Sequence, residues 1–149
     1  MRVYLDNCCY NRPYDDQSQL RISLETQAKL RVQEMIKDDQ IELASSYTSL
    51  YENSRNPYEI KRRTIGKFIE DHTSVYVDES YASAVGELAA AIMATGVKSA
   101  DAHHAASAII AGCDYLLTTD DRLLKYSTDK IQVVDPIEFI KRLGGADDE

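Results

Sequence analysis

No apolar run in this chain approaches the length of about 18 residues that a membrane-spanning helix needs, which excludes a bilayer span. No leader is expected either, since the N-terminus enters an apolar strand and then meets Asp6. Cysteines are few: there are 3, an odd number, and Cys8 and Cys9 are adjacent. That pattern is neither a disulfide framework nor a zinc-ligand spacing, and a reducing cytoplasm suits it. Basic residues are outnumbered, 17 against 25 acids, for a formal net charge of -8. Such a balance argues against non-specific binding of duplex nucleic acid, which depends on Lys and Arg at the phosphates. It leaves room for a nucleic-acid enzyme whose acids are pooled in one metal pocket. Internal repeats and low-complexity linkers are absent too.

What is present is an ordinary globular composition, 44% hydrophobic and 28% charged over 149 residues. That length fits a single domain, expected over 1–143, with a polar tail at 144–149. It is enough to bury roughly 70% of the unfolded surface without staples. The first strand is "RVYLD", and "NCCYNRPYDDQSQ" after it has the turn signals of a loop. Leu20, Leu24, Ala28, Val32, Met35 and Ile36 recur at helical spacing and predict a long amphipathic helix. "IELASS" is a second strand, and "YTSLYENSRNP" a short helix closed at Asn56-Pro57. The helix "YEIKRRTIGKFIEDH" is expected to bury Ile60, Ile65, Phe68 and Ile69. "SVYV" makes a third strand. Two Ala-rich helices follow, ending at Gly96 and Gly112, before a fourth strand in "DYLLTT". A fifth strand, "IQVV", and a terminal helix, "PIEFIKRL", complete the chain. Strands alternating with helices imply an α/β fold with a mainly parallel five-stranded sheet covered on both faces.

In such sheets ligands bind beyond the carboxyl ends of the strands, near a topological switch point. Asp6 ends the first strand, Glu52 lies beyond the second, and Asp120 and Asp121 lie beyond the fourth. Asp101 sits in the first turn of the helix "SADAHHAASA". Three of them have a structural explanation. Asp120 is a good N-cap for "RLLKY", Asp101 suits the positive end of its helix, and Glu52 suits a solvated helix face. Asp6 beside a core strand is harder to explain without a partner. Together they are better explained as a pocket for Mg²⁺ or Mn²⁺, hard ions that take oxygen ligands. Alternation along the strand places Thr118 with Asp120, where its hydroxyl can hold a carboxylate or a water.

The stretches "VYLDNCCYNRP", "SSYTSLYENSRNP", "SADAHHAASA", "LLTTDDRLL" and "IQVVDPIEF", in this order, resemble a PIN domain over nearly the whole chain. The resemblance implies a three-layer α/β/α fold and a metal-dependent ribonuclease. It implies metal ligands at Asp6, Glu52, Asp101 and Asp120, and products with 5′-phosphate and 3′-hydroxyl ends. Small stand-alone members of this kind resemble VapC-type toxins, which implies an RNA substrate, a cognate antitoxin protein and a homodimer. Asn7 stands where Thr or Ser often follows the first aspartate. The doubled Asp120-Asp121 leaves the fourth ligand open, with Asp120 preferred through its alternation with Thr118.

Arg55, Lys61, Arg62, Arg63 and Lys67 form the densest basic region, and with Arg12 they are candidates for phosphate contacts. The residues singled out for RNA are Arg12, Arg55, Arg62 and Arg63, against the plainer reading of a solvated helix face. Of ten tyrosines, Tyr10, Tyr14 and Tyr51 are placed near the mouth. His103 and His104 point about 100° apart on a helix, so both cannot readily serve one metal. His104, three residues from Asp101, is expected near the pocket. Cys8 and Cys9 are read as packing residues, with no histidine placed to activate a thiol. Two other functions compete: a catalytically idle PIN-fold module binding RNA or protein, and a phosphatase of the haloacid-dehalogenase kind. The second is weakened because Cys8 occupies the place of the second acid.

Overall fold

The computed structural model describes residues 1–147. The first strand, β1 (Arg2–Leu5), is followed at once by a short helix, α1 (Asn7–Asn11), and a 3₁₀ turn at Arg12–Tyr14. Then come α2 (Leu20–Lys37), β2 (Glu42–Ser46), α3 (Tyr47–Ser54), α4 (Glu59–His72) and β3 (Thr73–Val77). A second 3₁₀ turn, Glu79–Tyr81, leads into α5 (Ala82–Met93) and α6 (Ser99–Ile110). The chain finishes with β4 (Tyr115–Leu117), α7 (Asp121–Leu124), β5 (Gln132–Val134) and α8 (Pro136–Asp147). No helix among the described residues is long and apolar enough to cross a membrane.

The five strands form one sheet in the order β3-β2-β1-β4-β5, and every pairing is parallel. Period-two alternation sends Tyr4, Ala44 and Leu116 to one face, where α5 and α6 cover them. Val3, Leu5, Leu43, Tyr115 and Leu117 go to the other, under α2, α4 and α8. This is the expected three-layer α/β/α arrangement, and burial on both faces explains the nearly unbroken apolar strands. Small side chains let α6 press close: Ala102, Ala105, Ala106 and Ala108 are fully buried. The turns after α5 and α6 need positive φ, and Gly96 (φ 103) and Gly112 (φ 72) supply it. From β1 the chain builds outward through β2 to β3, then returns to the other side of β1 for β4 and β5. The direction reverses between β1 and β4, so the switch point lies where Asp6 and Asp120 leave the sheet.

Several local expectations fail, each for a physical reason. The segment after β1 is helical rather than a loop, because its apolar residues have a core to enter. Cys9 and Tyr10 are 0% and 1% exposed, and Cys9 N donates to Asp6 O at 2.9 Å. Tyr10 is therefore a core residue, whereas Tyr14 and Tyr51 are exposed. In α2 the buried stripe is Glu25, Lys29, Val32 and Ile36, spaced at four, three and four residues, while Leu20 is 74% exposed. The buried charges are answered locally. Arg12 and Arg21 flank Glu25 at 3.2 and 3.5 Å. Lys29 bonds Gln33 Oε1 at 2.6 Å over the rings of Tyr10 and Phe68, and burial pushes its pKa down to about 8. In α4, Ile65 and Ile69 are buried as expected, but Ile60, in the first turn, is exposed. The terminal helix continues past Leu143 to Asp147, and residues 148–149 of the expected tail lie outside the described residues.

Candidate metal centre

Asp6 is 5% exposed at the carboxyl end of β1, and its amide donates to Leu117 O of the neighbouring strand at 2.9 Å. Two groups hydrogen-bond its carboxylate and a third lies beside it. The Thr118 hydroxyl donates to Oδ2 at 2.9 Å, and the Cys8 thiol donates to the same oxygen at 3.3 Å. His104 Nε2 lies 3.6 Å from Oδ1. Thr118 also accepts from the Asp120 amide at 3.1 Å, so one hydroxyl ties the first acid to the loop carrying the last.

Glu52 arrives from α3, which starts at a Ser46 cap accepting from Ser49 N at 3.3 Å. Its Oε1 sits 3.0 Å from His104 Nε2. Donor atoms of Asp6, Glu52 and His104 all lie within 4.8 Å of one another. Asp101, in the first turn of α6, has its pKa raised to about 6. Burial is the main cause and the charges of Asp6 and Asp120 add to it, while His104 and Lys98 act the other way. Asp120 caps α7, its Oδ1 accepting from Arg122 N at 2.8 Å. Asp121 is held by Arg21 at 2.7 and 3.1 Å, and that partner lowers its pKa. Asp121 is thus committed to a surface ion pair and Asp120 to the turn beside Thr118.

Asp6 and Glu52 share the compact group with His104, Asp101 and Asp120 lie outside it, and the charges of Asp6 and Asp120 add repulsion to the burial that mainly raises the Asp101 pKa. A divalent cation among hard oxygen ligands would remove that repulsion, so the residues present fit such an ion. Burial opposes the charged form of the His104 ring, but Tyr4, Glu52 and Asp6 around it raise its pKa well above the ordinary value.

The basic residues have partners of their own. Arg12 pairs with Asp15 and Glu25, and Arg63 with Glu59 at 2.9 Å. Arg55 lies against Tyr51 and bonds its hydroxyl, and Arg62 donates to Asn56 O. Asn7 joins α1 to α3 by donating to Ser49 O at 3.1 Å. His103 bonds Ser99 O one turn back along α6. Sequence reasoning undervalued Cys8, which touches Asp6 and Thr118, and left out Tyr4, Ser46 and Ser49, which stand behind His104. One signal was available. Tyr4 lies two residues before Asp6, and alternation puts both on the same side of the sheet.

Comparison with known proteins agrees with this architecture. No curated protein matches the sequence. The fold is similar to a chain in the crystal structure of VapBC2 from Rickettsia felis bound to a DNA fragment from their promoter. The TM-score is 0.56 at 15% identity, covering 89% of this chain and 97% of that one. The sequence pattern of the PIN domain matches residues 40–128, from just before β2 to beyond α7. Asp6 lies outside that stretch, but β1 is paired between β2 and β4, which lie within it. By that match, and with the sheet order above, the chain belongs to the PIN domain family.

Proposed function

We propose that this protein is an Mg²⁺- or Mn²⁺-dependent endoribonuclease, with Asp6, Glu52, Asp101 and Asp120 as the metal ligands. The observation that supports the reading is the compact group of Asp6, Glu52 and His104 at the switch point, with Asp101 raised to about 6 by burial and by the charges of Asp6 and Asp120. A bound divalent cation would supply Lewis-acid polarisation of the phosphodiester and activation of a water. The chain's own residues do the rest. Thr118 orients Asp6 through Oδ2, and Asp120 is fixed by its cap to α7. Arg12, Arg55, Arg62 and Arg63 are the proposed RNA contacts, positioning the backbone rather than reading bases. By analogy with VapBC2, the protein acts as the toxin of a toxin–antitoxin pair in the cytoplasm, as a homodimer with a cognate antitoxin.

The direct test is incubation of the purified protein with labelled RNA in Mn²⁺ or Mg²⁺. Cleavage is expected, leaving 5′-phosphate ends, with loss of activity in EDTA and in Asp101→Asn. Metal uptake without cleavage would instead favour an idle PIN-fold module that binds RNA or protein.

A further inference from the structure

His104 is 1% exposed and joins a chain of buried hydrogen bonds whose protons can be counted. Among the described residues, the Ser49 hydroxyl has one hydrogen-bond partner, the Tyr4 hydroxyl oxygen at 2.9 Å. The Ser46 hydroxyl accepts from Ser49 N and lies 2.6 Å from the same Tyr4 oxygen. For both serines to place their protons, both must donate to Tyr4, and that uses its two lone pairs. The Tyr4 proton is then directed to His104 Nδ1, 2.7 Å away. Nδ1 is an acceptor, so the ring proton sits on Nε2, facing Glu52 Oε1 at 3.0 Å and Asp6 Oδ1 at 3.6 Å. The opposite tautomer would set a lone pair against two carboxylates and leave a serine hydroxyl without an acceptor. A doubly protonated ring would keep the Nε2 proton, but its Nδ1 could no longer accept from Tyr4 and one serine would lose its acceptor.

We infer that His104 is a positioning residue and not a metal ligand, its Nε2–H donating to Glu52 and turned towards Asp6 while Tyr4 sets its tautomer. The inference rests on the metal-dependent reading above. It has a chemical consequence. The compact triad of Asp6, Glu52 and His104 looks like a mixed nitrogen and oxygen site, which would favour zinc or cobalt. With Nε2 protonated, the ligand set is carboxylate alone and suits Mg²⁺ or Mn²⁺. Asp6 then faces the His104 Nε2–H at Oδ1 and is hydrogen-bonded by Thr118 and Cys8 at Oδ2. Partners of this kind typically change metal affinity 10–100-fold when removed.

Three readouts test it. In metal-free wild-type protein labelled with ¹⁵N-histidine, long-range ¹⁵N–¹H NMR should find the proton of His104 on Nε2; an unprotonated Nε2 overturns the inference. Pulsed EPR of the Mn²⁺-loaded labelled protein should lack a coupling of the size expected for a bound ¹⁵N, and such a coupling also overturns it. His104→Gln keeps an N–H near the place of Nε2, whereas His104→Asn puts its amide nearer Nδ1. Calorimetric Mn²⁺ affinity should stay near wild type in the first and fall about 10–100-fold in the second. Equal losses in both overturn the role, and if either variant fails to fold, the two wild-type spectra decide. Wild-type protein that takes up no Mn²⁺ overturns the nuclease reading together with the positioning role. Uptake with nitrogen bound to the metal overturns the positioning role alone.

Discussion

Asp120 caps α7 through Oδ1 and is also one of the four proposed ligands, and substitution separates the two roles. Serine caps a helix about as well as aspartate, so Asp120→Ser should keep metal-free stability within about 0.5 kcal/mol. Asp120→Ala should lose about 0.5–2 kcal/mol. Both should weaken Mn²⁺ binding, as followed by thermal shift. If Asp120→Ser binds Mn²⁺ like wild type, Asp120 is a cap and nothing more. Asp101 makes a second prediction, through pH. Its pKa rises on folding from 3.8 to about 6, so between these values the folded state holds more proton than the unfolded one. Metal-free stability contributed by this group is therefore present below about pH 4 and is lost as pH rises through about 6. Melting curves in EDTA should show that decline in wild type and a flatter profile over the same window in Asp101→Asn. The same profile in both would mean that burial and the nearby acids do not raise the Asp101 pKa in the folded protein.

At the scale of the element, α2 shows what a pattern of apolar residues leaves undecided. Its pattern predicted a face of Leu20, Leu24, Ala28, Val32, Met35 and Ile36; Val32 and Ile36 are buried as expected, but towards the N-terminus Glu25 and Lys29 go inward while Leu20 and Leu24 are exposed. The expected outcome of mutation follows from the observed face. Leu20→Ala should change unfolding free energy in urea by no more than about 0.5 kcal/mol. Ile36→Ala should cost about 2–5 kcal/mol. A loss for Leu20→Ala as large as that for Ile36→Ala would restore the N-terminal half of the predicted face. The five strands, by contrast, were legible, because strands buried on both sides have few ways to be anything else. The acids at the strand ends were legible for a related reason: parallel strands send their carboxyl ends to one edge, so Asp6, Glu52 and Asp120 share it. The orientation of His104 was not. Its partners Tyr4, Ser46 and Ser49 come from β1 and the β2–α3 junction, and only the folded sheet brings them beneath α6. Likewise, α1 looked like a loop because Asn and Pro dominate its local signal, while the burial of Cys9 and Tyr10 is a tertiary fact.

For the whole molecule, the question is how a protein of net charge -8 would bind the RNA proposed as its substrate. Like-signed charge slows approach and weakens binding unless the basic residues are concentrated along the strand's path. Two of the proposed contacts, Arg55 and Arg62, have neutral partners in Tyr51 and Asn56, and no acid among the described residues is bonded to them. Arg12 and Arg63 are each paired with acids, so a phosphate must compete with Asp15, Glu25 or Glu59 for them. The four arginines are therefore not equivalent. Salt dependence measures the difference, since each phosphate neutralised on single-stranded RNA adds about 0.7 to the slope of log K against log salt. With cleavage blocked by Asp101→Asn, fluorescence anisotropy across a salt series should give a finite slope. Arg55→Ala and Arg62→Ala should each reduce it by about 0.7, and Arg63→Ala by less. A slope unchanged by Arg55→Ala and Arg62→Ala would place the RNA path elsewhere and return α4 to a solvated outer face. In that case the acids would have to hold the RNA through the metal alone, and binding without metal should vanish at every salt concentration.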